Sequence, residues 1–231
     1  MVFGVILAGG DGQSMEKAKQ YMLLGSKPVL IHTVEKFYIH ERLEKILVLC
    51  PQKWLKDTQE MMEKYFPSSQ GRIVLVKSGD TRNETIRNAA LYIEGHFGLE
   101  EDTLLVTHDS VRPFVTYRII EENIEYGLKH GAVDTVVPAS DTIVYSEDGT
   151  GITSVPKRSM MYQGQTPQTF HAKKFLELYQ KLSEEEKSLL TDACKIFVLN
   201  GEKVYLAEGE IFNIKITYPY DLEVAESLMI Q

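Results

Sequence analysis

The chain has 231 residues, 43% of them hydrophobic and 25% charged, enough apolar material to bury a core unaided in one α/β domain spanning 1–231. A formal net charge of −8 argues against a nucleic-acid binder, which needs Lys and Arg clustered over a broad face. No apolar run approaches the roughly 20 residues that span a bilayer, and Val2 to Leu7 lacks the basic flank and cleavage site of a signal peptide, so a cytoplasmic protein away from membranes is expected.

Apolar runs of strand length recur at Val2–Leu7, Ile46–Leu49, Ile73–Val76, Thr103–Val106 and Val133–Val137, with helical patterns between them. This alternation predicts βα units and a Rossmann-like, mostly parallel sheet with helices on both faces. Pro28 and Pro51 suit first helical positions, Thr81 and Thr116 suit N-caps, Ser183 with Glu186 has capping-box spacing, and Thr191 precedes the helix that holds Cys194. Cys50 and Cys194 lack metal-ligand spacing and read as buried thiols.

The segment 141–162 breaks the pattern. Two short β-prone pieces, Thr142–Tyr145 and Ile152–Val155, flank a turn-forming run that includes Asp148 and Gly149. A projecting β-hairpin arm is predicted, with so little core-forming surface of its own that it calls for a partner chain, hence a homodimer.

The first strand runs straight into Ala8–Gly9–Gly10–Asp11–Gly12, followed by Lys17, Lys19 and Gln20. Glycines let the backbone bring several N–H groups close to a triphosphate, and the lysines neutralise its charge. The turn is neither a Walker loop nor a dinucleotide fingerprint, and taken alone it also suits a tight βα connection.

From Leu7–Ala8–Gly9–Gly10 to Asn213–Ile214–Lys215–Ile216–Thr217, the chain resembles the cytidylyltransferases of the methylerythritol-phosphate and ribitol-phosphate type. Gly79–Asp80–Thr81–Arg82–Asn83, His108–Asp109–Ser110–Val111–Arg112–Pro113–Phe114, Asp141–Thr142, Gln165–Thr166–Pro167–Gln168 and Leu190–Thr191–Asp192–Ala193 lie between in the family's order and spacing. The stretches Val106–Phe114, Tyr162–Gln168 and Asp192–Lys195 are more similar to the ribitol-5-phosphate branch. The resemblance implies CTP and D-ribitol 5-phosphate as substrates, CDP-ribitol and pyrophosphate as products, and supply of a teichoic-acid or capsule polymer. Methylerythritol phosphate remains an alternative acceptor.

The resemblance implies roles residue by residue. Lys17, Lys19 and Lys215 would serve catalysis, with Lys215, read as lying on a late apolar strand, bridging the α-phosphate and the nucleophile. Leu7, Ala8, Gly9, Gly10, Gly12, Gly79, Asp80, Arg82, Thr85 and Ser110 would hold the nucleotide. Arg112, Thr142, Arg158, Thr166 and Asp192 would hold the polyol phosphate, Thr142 and Arg158 acting across the dimer through the arm. Asp109, at the carboxyl edge of the Thr103–Val106 strand, would bind Mg²⁺ or another divalent cation, with Glu210 as a second acidic neighbour. Apart from the resemblance, the histidines share no spacing with carboxylates or with each other, and His108 is read as merely orienting the Asp109 loop.

The phosphate loop departs from the family pattern. Ser14 stands before Met15 where the pattern has Arg, and the loop is about two residues shorter than the pattern. This leaves open a second class of reading, a nucleotide-binding relative with weak turnover.

Overall fold

The computed structural model describes residues 1–10, 18–69 and 71–229. Its elements run β1 (Val2–Leu7), a small ribbon of β2 (Leu23–Leu24) and β3 (Lys27–Pro28), α1 (Val29–Tyr38), β4 (Lys45–Cys50), α2 (Leu55–Tyr65), β5 (Ile73–Lys77) and α3 (Arg82–Phe97). They continue with β6 (Leu104–Asp109), α4 (Tyr117–His130), β7 (Ala132–Pro138), β8 (Tyr162–His171), α5 (Ala172–Lys181), α6 (Glu184–Ser188), α7 (Cys194–Leu199), β9 (Tyr205–Glu208) and α8 (Pro219–Met229).

The first strands read as unbroken apolar runs because both of their faces are covered. Along β1, Phe3, Val5 and Leu7 pack with Ile86 and Ile93 of α3 and Phe175 of α5, whereas Val2 and Ile6 meet Leu30, Val34 and Phe37 on the α1 side. The same alternation divides Leu47 and Leu49 from Ile46 and Val48 in β4.

The main sheet has the order β5-β4-β1-β6-β8-β7-β9. Strands β1, β4, β5 and β6 are mutually parallel, β9 is parallel to β7, and β8 runs antiparallel between β6 and β7. Strand β8 escapes sequence reading because Gly164 and Pro167 are poor strand formers. Its place is fixed instead by partners far away in the chain. Thr107 Oγ1 donates to Gln168 O at 2.7 Å, Thr135 Oγ1 donates to Pro167 O at 2.6 Å, and Asn123 joins Thr135 and Thr169 in a buried network.

Capping follows the sequence in three places. Thr81 and Ser183 each close a capping box with Glu84 and Glu186, and Thr116 Oγ1 accepts from Ile119 N. Thr191 does not cap: α7 begins after Ala193, and Asp192 Oδ1 accepts from Lys195 N at 3.1 Å. Pro28 stands just before α1, and Pro51 just before a 3₁₀ turn, Gln52–Trp54, that leads into α2, because ψ near 146° and 149° keeps both prolines in extended backbone.

The arm differs from a hairpin ladder. Between β7 and β8 a single antiparallel bridge, Tyr145 with Ser154, closes a loop turned by Asp148, whose Oδ1 accepts from Thr150 N and Gly151 N. Tyr162 belongs to β8 rather than to the arm. Val144, Tyr145, Ile152, Val155 and Met160 are each more than half exposed, so nothing among the described residues packs the arm into longer strands.

Candidate active site

A cavity of about 600 Å³ opens at the carboxyl ends of β1 and β6, where the chain reverses its direction of travel across the sheet. Open α/β sheets place ligands at such a switch point, because the loops leaving two neighbouring strands diverge there. Leu7, Gly9 and Gly10 form one wall, Gly79, Asp80, Arg82 and Thr85 another, and Asp109, Ser110, Lys19 and Lys215 complete it. Gly12, Ser14 and Lys17 lie outside the described residues.

The glycine turn is tied at its base by Gln20, whose Nε2 donates to Ala8 O at 3.0 Å and to Gly10 O at 3.2 Å. Ala8 itself is buried behind the wall. Gln20 takes a positioning role that its place beside Lys19 in the sequence did not reveal. On the second wall, Thr85 is buried and its Oγ1 donates to Thr81 O while accepting from Gly79 N at 3.1 Å. Its hydroxyl therefore shapes the Gly79 turn at the start of α3.

Asp109 is the last residue of β6, not a loop residue beyond it, and is 8% exposed. Three cations converge on its carboxylate: Arg82 Nε at 3.5 Å from Oδ1, Arg112 Nε at 3.5 Å from Oδ2, and Lys215 Nζ at 3.1 Å from Oδ2. Burial opposes ionisation of Asp109, but Arg82, Lys215 and Arg112 together outweigh it and hold the carboxyl well below the usual range. One carboxylate among three cations leaves a local formal charge of about +2, an anion site set into an acidic protein.

Lys215 does not reach Asp109 from a strand. Residues 211–216 form no strand: Ile211 and Phe212 face solvent, while Ile216 N donates to Val111 O and Arg112 Nη1 donates to Asn213 O at 2.8 Å. The apolar residues of this segment that are covered, Ile214 and Ile216, pack with Leu24, Val29 and Ala225 rather than in the sheet. The Lys215 side chain is 47% exposed, so it is an accessible ammonium held by one carboxylate.

His108 is fully buried in β6, where its Nε2 lies 3.0 Å from Arg112 O and its Nδ1 lies 2.8 Å from Thr166 Oγ1. Burial is the main cause that lowers its pKa to about 4. Thr166 Oγ1 also accepts from Asp109 N at 3.2 Å.

Residues 2–231 match the family of IspD, 2-C-methyl-D-erythritol 4-phosphate cytidylyltransferase. The chain belongs to this family. A ribitol-5-phosphate cytidylyltransferase of Lactiplantibacillus plantarum is 48% identical over 232 residues, covering 99% of this chain and 98% of that protein. The crystal structure of 4-diphosphocytidyl-2C-methyl-D-erythritol synthase from Anaerococcus prevotii superposes with a TM-score of 0.84 at 27% identity, over 100% of this chain and 96% of that one. The 2-C-methyl-D-erythritol 4-phosphate cytidylyltransferase of Thermus thermophilus gives a TM-score of 0.76 at 25% identity, with 100% of both chains covered.

The structure does not bring together the residues expected to hold an acceptor in this IspD-family chain. Arg112 stands at the cation cluster without lining the cavity, whereas Thr142 and Arg158 are exposed on the arm, Arg158 Nη1 donating to Ser140 O. Thr166 is only 4% exposed, with its hydroxyl engaged by His108 and Asp109 N. Asp192 lies just ahead of α7, its Oδ1 accepting from Lys195 N, and its Oδ2 accepts from Gln168 Nε2, which also donates to Asp134 Oδ1 at 3.0 Å. Burial raises Asp134 to about 7, against the Gln168 hydrogen bond and with help from Asp192. Asp134 was not singled out by sequence reading, although an acid inside the apolar run Val133–Val137 was a visible signal.

Glu210 does not stand beside Asp109: its Oε1 pairs with Arg118 Nη2 at 2.8 Å. Among the described residues no group of three or more His, Cys, Asp and Glu is arranged to hold a metal. Among the described residues the carboxylates lining the cavity are Asp80 and Asp109, and Asp109, the buried one at the end of β6, is the one that would hold Mg²⁺.

Proposed function

We propose that this chain transfers the cytidylyl group of CTP to D-ribitol 5-phosphate, giving CDP-ribitol and pyrophosphate. The observation that carries the reading is the gathering of Arg82, Arg112 and Lys215 on Asp109 beside a glycine-walled cavity. Two anions must meet in this reaction, and a fixed cation array lowers their repulsion without reorganising during the step. The 48% identity to a ribitol-5-phosphate cytidylyltransferase supports the ribitol acceptor over methylerythritol phosphate.

The Gly9–Gly10 turn and Lys19 receive the triphosphate, and the Gly79–Thr85 wall receives base and ribose. A phosphate oxygen of the acceptor attacks the α-phosphorus, and the bond to the α–β bridging oxygen breaks as pyrophosphate departs with its electron pair. Lys215 and Arg112 bring the attacking dianion in line and neutralise it. No general base is needed, because the phosphate monoester is already ionised at neutral pH. Bound Mg²⁺, with Asp109 as its protein carboxylate, would neutralise charge on the triphosphate and the leaving pyrophosphate.

In this reading the protein is a cytoplasmic homodimer whose arms deliver Thr142 and Arg158 to the neighbouring subunit's acceptor phosphate. The exposure of Thr142 and Arg158 and the uncovered apolar residues around them support the arm exchange. The test is pyrophosphate release by the purified chain with CTP and each of several polyol phosphates. Release fastest with ribitol 5-phosphate is the expected result, and equal or faster release with methylerythritol phosphate would reverse the acceptor assignment. CTP binding with no release would identify the weak-turnover relative.

A further inference from the structure

We propose that His108 and Thr166 are positioning residues of this site: a buried imidazole, held in its Nε2–H tautomer, locks the Thr166 hydroxyl and thereby sets Asp109 and Arg112 relative to each other. The inference rests on the cytidylyltransferase reading for its kinetic consequence, but its structural half stands without it.

The hydrogen-bond directions follow from the chemistry of the partners. Arg112 O is a carbonyl and only accepts, so His108 Nε2, 3.0 Å away, carries the proton and donates. Asp109 N–H only donates, so Thr166 Oγ1, 3.2 Å away, accepts from it. The Thr166 hydroxyl then has its own hydrogen to place, and the neighbour that can take it is His108 Nδ1 at 2.8 Å. A proton on both ring nitrogens would leave that hydroxyl hydrogen without an acceptor, beside an imidazole that is fully buried and in a threonine that is almost so. Phe37, with its ring 5.3 Å from the imidazole, closes the other side.

The chain of bonds runs Asp109 N–H to Thr166 Oγ1, Thr166 O–H to His108 Nδ1, and His108 Nε2–H to Arg112 O. It begins at the backbone of the residue that gathers the cations and ends at the backbone of one of those cations. Asn213 Nδ2 donates to Thr166 O at 2.9 Å while Asn213 O accepts from Arg112 Nη1, so the segment that carries Lys215 is tied to the same pair. Three elements distant in sequence, β6, β8 and residues 213–216, are thus held in one register about the Asp109 carboxylate. This gives Thr166 a role that needs no contact with the acceptor, consistent with its burial outside the cavity lining.

The test uses the full chain with Thr166→Val, which removes the hydroxyl at nearly constant shape, and Thr166→Ser, which restores it. Thr166→Val is expected to lower kcat about tenfold to a hundredfold, the scale of a misplacement near 1 Å, with CTP Kd within about threefold of the parent. Thr166→Ser should recover kcat to within about threefold. A substrate-contact role would instead raise KM for the polyol phosphate with kcat held. Imidazole ¹⁵N spectra of the unliganded protein should show His108 with a protonated Nε2 and a bare Nδ1.

An unchanged kcat in a folded Thr166→Val protein would overturn the proposal, as would a protonated Nδ1. If Thr166→Val fails to fold, the serine variant and the spectrum still decide: a Thr166→Ser kcat down more than tenfold, or the other tautomer, rejects it. If the parent releases no pyrophosphate with any acceptor, the reaction assignment falls while the spectrum tests the hydrogen-bond chain on its own.

Discussion

Lys215 and Asp109 are 106 residues apart in the chain, yet the ammonium lies 3.1 Å from Oδ2 at the mouth of the cavity. Because Lys215 is half exposed, Lys215→Ala should leave the fold intact and lower kcat/KM by on the order of 3 kcal/mol of transition-state stabilisation. Asp109→Asn should be at least as damaging, since three cations would lose their counter-charge. Steady-state kinetics beside thermal melts checks both; near-normal turnover in a well-folded Lys215→Ala protein removes it from the mechanism.

Gly10 and Gly79 make opposite predictions. A Cβ at Gly10 meets no described atom within 4 Å, so Gly10→Ala should fold normally and weaken CTP binding through the methyl it places in the cavity. A Cβ at Gly79 would stand 2.4 Å from Glu84 Cβ and 2.8 Å from Glu84 C, so Gly79→Ala must push the turn off α3 and lower melting temperature and CTP affinity together. Equal melting temperatures for the two variants would contradict this.

Asp134 gives the protein a pH dependence of known sign. Its pKa of about 7 in the folded chain lies above the unfolded value near 4, so the folded state holds a proton that unfolding releases between them. Stability from this group is full below pH 4 and is lost as pH rises through 7. Gln168 Nε2 can still donate to an amide oxygen, so Asp134→Asn should be more stable than the parent at pH 8, by on the order of 1–3 kcal/mol, with little difference at pH 4. Denaturant midpoints at the two pH values measure it; a constant difference would locate the effect elsewhere.

If Arg158 acts across the dimer, subunits carrying Arg158→Ala and subunits carrying Lys215→Ala should be weak separately and regain activity when mixed and exchanged. One acceptor site in each mixed dimer would then have both residues. Sedimentation should give a dimer at micromolar concentration. A monomer, or no recovery on exchange, argues against arm delivery.

Lys17 lies outside the described residues, but it is the cation left in a loop that has Ser14 where the family pattern has Arg. Lys17→Ala should weaken CTP binding and lower kcat several-fold, because a point charge replaces a guanidinium there. Unaltered kinetics would show that Lys19 and the glycine N–H groups suffice.

What the sequence by itself determined was local. The five strands from Val2 to Val137, the glycine turn after β1, and the caps at Thr81, Thr116 and Ser183 were legible because periodicity and capping chemistry act within a few residues. Of the two cavity walls, Gly9–Gly10 stood out as a glycine turn leaving a strand, whereas Gly79–Thr85 was singled out only through the family resemblance. The tertiary structure alone decided the rest. Strand β8 exists because β6 and β7 offer partners on both sides, against the preferences of Gly164 and Pro167. Lys215 reaches Asp109 along an irregular segment whose apolar residues mimicked a strand, because its hydrogen bonds go to Val111 O and Arg112 instead of a ladder. The convergence of Arg82, Arg112 and Lys215 on one carboxylate, and the coupling of Asp134 to Asp192 through Gln168, are long-range electrostatic relations that spacing along the chain does not encode.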